Sequence, residues 1–332
     1  MKKFIVCFLI LGAFTVPVFA QKAKVVVKLA SLAPEATPWG EALNNLAKQW
    51  GQATNGEVEV RVYHNAVAGG ESDVLRKLKG NQIQAAVFTS IGMSQISPAV
   101  MTLSVPFFIR TDDELNAVLA ELRGDLEKGI EDAGFKTIAW SKVGWVNFFS
   151  RSPVRVPDDL KKQKLAADPS MQTFNDAFRM MGYQMAAATT NDTIVFLNSR
   201  TIDAIWQSPI NVAATQAFGI AKNMADIKIA PFMGGIVMNE VTWRRIPEKY
   251  HKRLLELSAQ TVTKNEASIT RLEDYAVTQM KANGLIVNAL SEADRQAWYA
   301  DVQKAMPMLL GKTFDRELYN KIDAILRKKR GG

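Results

Sequence analysis

The chain has 332 residues, 48% of them hydrophobic, and a formal net charge of +8 from 41 Lys and Arg against 33 Asp and Glu. That length and apolar content suit about two globular domains, on a prior of roughly 150 residues each, and exclude a low-complexity or disordered chain. One cysteine, Cys7, and two histidines, His64 and His251, leave no material for a disulfide or a cysteine metal site.

The first predicted element is a secretory signal over Met1 to Ala20. Lys2 and Lys3 lead, an apolar run extends from Phe4 to Val18, and Val18-Phe19-Ala20 forms a small-residue exit. Cleavage near Ala20 starts the mature chain at Gln21, removes Cys7 and lowers the formal charge to +6. The run is too short and wrongly flanked to span a bilayer, and no later stretch approaches the roughly 20 apolar residues required. The expected product is a soluble protein of the periplasm. Export makes nucleic acid an unsuitable partner. The C-terminal "RKKRGG" reads as a solvated helix end favoured by the helix dipole, with an acidic partner or a membrane surface left open.

After the signal, Val25 to Ala30 is a β-branched run expected as a buried strand. Thr37-Pro38 offers an N-cap with proline at the first helical position, and Trp39 to Trp50 keeps helical spacing. Val58 to Tyr63 alternates as a strand. The loop from His64 to Gly70 leads to a helix over Glu71 to Lys79, ended by Gly80. Ala85 to Thr89 is a third strand, and Thr111 to Glu131 opens Asp-rich and runs as one or two helices. This β-α-β-α-β order predicts a parallel sheet with helices on both faces.

A second unit begins in the apolar, aromatic stretch Thr137 to Ser150. Lys164 to Ala167 is a short strand, Gln172 to Met181 an amphipathic helix stopped by Gly182, Asn191 to Asn198 a further helix start, and Ile202 to Trp206 a strand. Ile227 to Asn239 returns to the first unit. Two crossings place a ligand between two lobes, at the carboxyl ends of their strands. The lobes are expected at 21–143 with 230–265 and at 144–229 with 266–332. Pro247 to about Asn283 is too long for an ordinary globular helix and is expected to brace both lobes. Ser291 with Asp294 caps the last helical region.

Five segments, in this order and spacing, carry a family resemblance: "KLASLAPEATPWGEAL", "VYHNAVAGGESDVLRKLKGNQIQAAVFTS", "ISPAVMTLSVPFF", "PDDLKKQKL" and "SRTIDAIWQSP". Together they resemble the solute-binding (DctP-like) proteins of TRAP, tripartite ATP-independent periplasmic, transporters over nearly the whole mature chain. The resemblance implies an α/β, two-lobed binding-protein fold that closes on one small molecule and hands it to ion-gradient-driven membrane subunits. It implies no cofactor. The sequence is most similar to the treponemal subgroup found with a tetratricopeptide-repeat companion, which implies such a partner.

The departures from the family pattern bear on the ligand. The family's "P-x-DLKG-x-K-I-R" run pairs its arginine with a substrate carboxylate, and Ala166 stands at that place here. A guanidinium supplies a fixed fork of donors matched to a carboxylate, and a methyl group supplies none. Trp145 stands near a second family arginine, and "DAIWQSP" replaces "DG-x-E-N-N-P", putting Trp206 and Gln207 where relatives carry glutamate and asparagine. The expectation is a small hydrophobic or amphipathic ligand.

Carried over from the family, the expected lining is Trp39, Glu71, Thr89, Ser90, Trp145, Phe148, Ala166, Met171, Trp206, Gln207 and Met233. Each has a plainer reading. A tryptophan or methionine is more often core than ligand wall, by roughly two to one on general burial habits. Glu71 either meets ligand or only favours a helix N-terminus. Thr89, Ser90, Gln207 and Ser208 either orient a polar ligand end or satisfy strand-end backbone.

Catalysis is not expected. No "G-x-S-x-G" elbow, "H-E-x-x-H" helix, phosphate loop or "G-x-G-x-x-G" run occurs. Asp158-Asp159 beside a proline reads as a turn and helix cap, and His251 among Lys249, Lys252 and Arg253 as surface. A carboxylate-based hydrolase ranks below two binding readings, a transport component and a ligand carrier or scaffold for a repeat-protein partner.

Overall fold

The computed structural model describes residues 24–331, so the signal segment and its cleavage point lie outside the described residues. The chain opens with β1 (Val25–Ala30), α1 (Pro38–Ala53), β2 (Val58–Tyr63), α2 (Glu71–Lys79) and β3 (Ala85–Thr89). Then come α3 (Ser90–Ser94), a 3-10 turn at Pro98–Ser104, α4 (Asp112–Asp132) and the 16-residue β4 (Phe135–Ser150). Short elements follow: α5 (Pro157–Lys161), β5 (Lys164–Ala167), α6 (Gln172–Met180), β6 (Gln184–Ala187), α7 (Thr193–Asn198), β7 (Ala204–Gln207), α8 (Pro209–Ala214) and β8 (Asn223–Ala225). The chain returns through β9 (Ala230–Asn239) and finishes with α9 (Glu240–Arg245), α10 (Glu248–Ala282), β10 (Ile286–Asn288), α11 (Glu292–Leu309) and α12 (Arg316–Arg330).

Local chemistry sets the helix starts. The Thr37 hydroxyl accepts the Gly40 N–H while Pro38 occupies the first turn, where its missing N–H costs nothing. Thr111 caps α4 by accepting the Glu114 N–H, and α4 runs unbroken to Asp132 as one helix. Ser291 and Asp294 cap each other's backbone at the start of α11, and the Asp159 carboxylate accepts the N–H groups of Arg155 and Val156 ahead of α5.

Strand order is β2-β1-β3-β9-β4-β7-β5-β6, with β8 joined to β4 and β10 to β8. β1 pairs parallel with β2 and β3, as the β-α-β order predicts. The sheet is nevertheless mixed, because β9 inserts between β3 and β4 and runs antiparallel to both. The chain comes back from the second half travelling the opposite way, so its strand enters reversed. Beyond β4 the pattern repeats: β5, β6 and β7 are mutually parallel, and β4 is antiparallel to β7.

Helices cover both faces. β1 sends Val25, Val27 and Leu29 into a core with Leu43, Leu46 and Trp50 of α1 and Trp243 of α9. The opposite face buries Phe88, Leu115, Val118 and Leu126 in the largest core, which continues under β4 to Phe148, Phe174 and Trp298. A third core holds Phe149, Ile205, Leu197 and Val212 beneath α7 and α8. The 35-residue α10 packs along α1, β4 and α8, so one rod touches the central β4 and a helix on either side of it in the chain. His251 departs from the surface reading: its ring stacks on Trp243 at 4.1 Å and bonds the Ile246 carbonyl at 2.9 Å.

β4 changes partners halfway along. Its register against β9 slips between Lys142 and Gly144, pairing with β9 resumes as far as Val146, and from Asn147 it meets β7 and then β8. Gly144 sits at φ 129°, a conformation that side chains resist. α10 covers the slip. Glu266 accepts the Lys142 N–H and Glu273 the Trp145 N–H, each at 2.7 Å, so the backbone donors displaced from the ladder stay bonded.

Candidate functional site

β3 runs the same way as β4 and β7 the opposite way, so their carboxyl ends point towards each other along β4, β3 ending at the level of Ser141 and β7 at Asn147. Thr89 ends β3 with Ser90 directly after it, Asp168 follows β5, and Ser208 follows β7. The Glu71 carboxylate, at the first residue of α2, accepts the Thr89 N–H at 2.5 Å and the Thr89 hydroxyl at 2.9 Å. It faces Gly92 so closely that a Cβ there would lie 2.6 Å from Oε1. Burial raises the Glu71 pKa against the lowering effect of Thr89, and the Asp168 charge raises it further. Asp168 therefore lies within electrostatic reach of Glu71. The hollow between Ser31, Gly69, Glu71 and Phe88 is too tight for a water molecule, so the inner side of Glu71 is packed.

The expected lining residues sort into groups. Glu71, Thr89 and Ser90 are contiguous, and the Ser90 hydroxyl donates to the Met233 carbonyl at 3.3 Å; the Met233 side chain is fully buried. Phe148 and Trp206 are direct neighbours across β4 and β7. Half-buried Trp206 leans on Phe174 at 5.2 Å and Phe178 at 6.3 Å, and Met171 packs on the same core. Phe148 stacks on Trp298 at 5.0 Å and is buried.

Ala166 is not part of that wall. Leu165 pairs with Ala204, so the two-residue alternation of the strands puts Leu165, Ala204, Trp206 and Phe148 on one face. Ala166 falls on the other, with Phe149 and Ile205, and Gln207 shares that face by the same count. Gln207 Oε1 accepts the Ser208 N–H at 2.9 Å, and the Ser208 hydroxyl caps α8. Trp145 and Trp39 lie apart. Trp145 is 2% exposed, donates its indole N–H to Asp112 at 3.1 Å and carries Lys228 4.9 Å over its ring. Trp39 packs against the core beneath α1.

Two features escaped the sequence reading. Asp168 takes the Ser170 N–H and hydroxyl at 2.9 and 2.7 Å, and its carbonyl accepts the amide of buried Asn175 at 2.7 Å. The Asp-Pro-Ser spelling signals such a turn, but nothing local signals that its charge reaches Glu71. The second feature is the cluster at the β4 slip, where Asp112 binds Lys142 at 2.6 Å beside Trp145. Its partners come from three separate segments and have no shared motif.

Residues 29–312 match the family described as bacterial extracellular solute-binding protein, family 7, DctP. A C4-dicarboxylate-binding protein, DctB, of Bacillus subtilis is 23% identical over 305 residues, covering 89% of this chain and 86% of its own. Among solved structures, a TRAP periplasmic solute binding protein from Chromohalobacter salexigens with bound D-glucuronate superposes with a TM-score of 0.83. It is 19% identical, and the match covers 90% of this chain and 99% of that one. One from Shewanella oneidensis with bound succinate gives 0.83 at 17% identity, covering 91% and 99%. These are binding proteins, not enzymes. With the fold, the long helix and the family match agreeing, the chain belongs to the DctP family of TRAP extracellular solute-binding proteins.

Proposed function

We propose that this chain is the exported solute-binding component of a TRAP transporter, holding a small, largely apolar or amphipathic solute between the β3 and β5 strand ends and delivering it to ion-gradient-driven membrane subunits. One observation carries the ligand class. Thr89–Ser90, Ala166–Met171 and Trp206–Ser208 supply hydroxyls, an amide, a thioether, an indole and the acid Asp168, but no cation. A carboxylate brought there meets Asp168 rather than a guanidinium. Leaving such a charge unpaired costs several kcal/mol, on the order of 3 to 5. An apolar group on the Trp206 and Met171 side instead contributes roughly 1.5 to 3 kcal/mol when fully buried.

The competing expectation comes from the relatives with bound succinate and D-glucuronate. Calorimetric titration of both acids into the mature protein separates the two. No measurable heat supports the proposal, and tight binding of either acid overturns it. Mass spectrometry of an organic extract of the purified protein then identifies the solute. The lobe boundaries at 21–143 with 230–265 and 144–229 with 266–332 belong to the same proposal, supported by the change of β4 partners from β9 to β7 between Val146 and Asn147, three residues past the boundary at 144. For a tetratricopeptide-repeat companion, the sequence resemblance is the only support.

A further inference from the structure

A cavity of about 430 Å³ lies between the Pro106–Arg110 segment and helices α11 and α12, sharing no residue with the strand-end site. It falls within the roughly 300 to 1,000 Å³ that small-ligand sites occupy. Four of its eleven lining residues are aromatic, set among polar and charged side chains. Phe108 and Tyr319 stack in parallel with ring centres 4.3 Å apart and planes 9° apart. Tyr299 carries the Arg110 guanidinium 3.7 Å above its ring, with Phe107 packed at 5.9 Å on Tyr299.

Charge in this cavity is unevenly paired. Arg330, part of the basic tail expected to be merely solvated, donates to both Glu114 oxygens at 2.8 and 3.1 Å and to the Phe108 carbonyl at 2.7 Å. Arg327 is held by Asp323 at 2.7 Å. Glu114 also accepts the Arg110 backbone N–H at 2.7 Å, so its oxygens are committed. The Arg110 side chain has no such partner. Its Nε donates to the Phe107 carbonyl at 2.9 Å, and among the described residues no carboxylate lies within ion-pair distance of it. Burial first, and the neighbouring Arg330 charge second, lower the Arg110 pKa, while the Tyr299, Glu114 and Glu292 charges act the other way.

A guanidinium fixed by stacking keeps its outer nitrogens in one plane, the arrangement that grips a carboxylate with two parallel bonds. Flat rings beside it suit a flat apolar body. We propose that this cavity is a second ligand site, for a small aromatic carboxylate whose anionic end pairs with Arg110 and whose ring packs between Tyr299 and the Phe108–Tyr319 stack. Gln303 and Asn320 line the same cavity and offer amides to a substituent on the ring.

The test uses benzoate, with benzamide as its uncharged isostere, followed by calorimetry and by NMR of ring-labelled tyrosine in the full mature chain. Expected are saturable benzoate binding, benzamide at least tenfold weaker, and shifts at Tyr299 and Tyr319. Arg110→Gln loses at least tenfold in benzoate affinity, whereas Trp206→Ala leaves it unchanged. No saturable binding, equal binding of benzamide, or binding lost in Trp206→Ala and kept in Arg110→Gln overturns the proposal. Should Arg110→Gln fail to fold, the tyrosine resonances of the unmodified protein decide: shifts at both rings support the site, and their absence overturns it.

Discussion

Glu71 grips Thr89 twice, through its backbone N–H at 2.5 Å and its hydroxyl at 2.9 Å, and so ties the first turn of α2 to the end of β3. The carboxylate serves the fold before it serves any ligand. Its burial also makes the tie depend on pH.

Burial raises the Glu71 pKa above its ordinary 4.5, so protonation favours the folded state. The associated stability is fully present below the unfolded value and is lost as pH rises through the folded value. Glu71→Gln keeps an acceptor for the Thr89 N–H and removes the titration. The difference in stability between Gln variant and parent should therefore move in favour of the variant as pH rises from 4.5 towards neutral. Urea unfolding across that range measures it, and parallel curves refute it.

Asp301 titrates with the opposite sign. Its buried carboxylate accepts the Tyr183 hydroxyl at 2.8 Å and the ammonium groups of Lys161 and Lys304 at 3.2 and 3.1 Å. Burial raises its pKa, but the three donors outweigh burial and leave it below the ordinary 3.8. Its contribution is present above that value and lost as pH falls through the folded one. Asp301→Asn should cost about 3 kcal/mol at neutral pH, with a difference that narrows on acidification. Acid and urea melts of both proteins check this.

At the β4 slip, alanine in place of Gly144 would set its Cβ 2.3 Å from Glu273 Oε1 at φ 129°. The glutamate could swing away only by releasing the Trp145 N–H that it holds at 2.7 Å. Gly144→Ala should destabilise by about 1 to 3 kcal/mol, from the backbone conformation and the lost bond together. A midpoint unchanged in urea would remove Glu273 from the account.

Trp206→Ala strips a half-buried ring from Phe174 and Phe178. A cost of about 2 kcal/mol is expected, below that of a fully buried aromatic. On the proposed function, affinity for the natural solute falls at least tenfold as well. A folded variant with unchanged affinity would place the solute elsewhere.

The elements were largely legible, because hydrophobic alternation, proline at α1, the Ser291–Asp294 pair and glycine after α2 are local signals. Strand order was not. Nothing within Ala230–Asn239 announces that it separates β3 from β4, since that depends on where the chain has already been. At the site, the motif containing Ala166 was visible in the sequence, but its face relative to Trp206 followed only from register, and a shift of one residue reverses it. The Glu71–Asp168 approach and the Arg110 cavity join segments distant in sequence, so no spacing rule reveals them.

The insertion of β9 between β3 and β4 also sets a timetable. A chain emerging amino end first from a ribosome or a membrane pore releases β3 and β4 long before the strand that must join them. Until Asn239 is out, the two flanking edges have only water or each other to pair with, and neither pairing is native. The middle of this sheet is therefore a late event in the life of every molecule, and a holding factor that shields those edges would act on it in that interval.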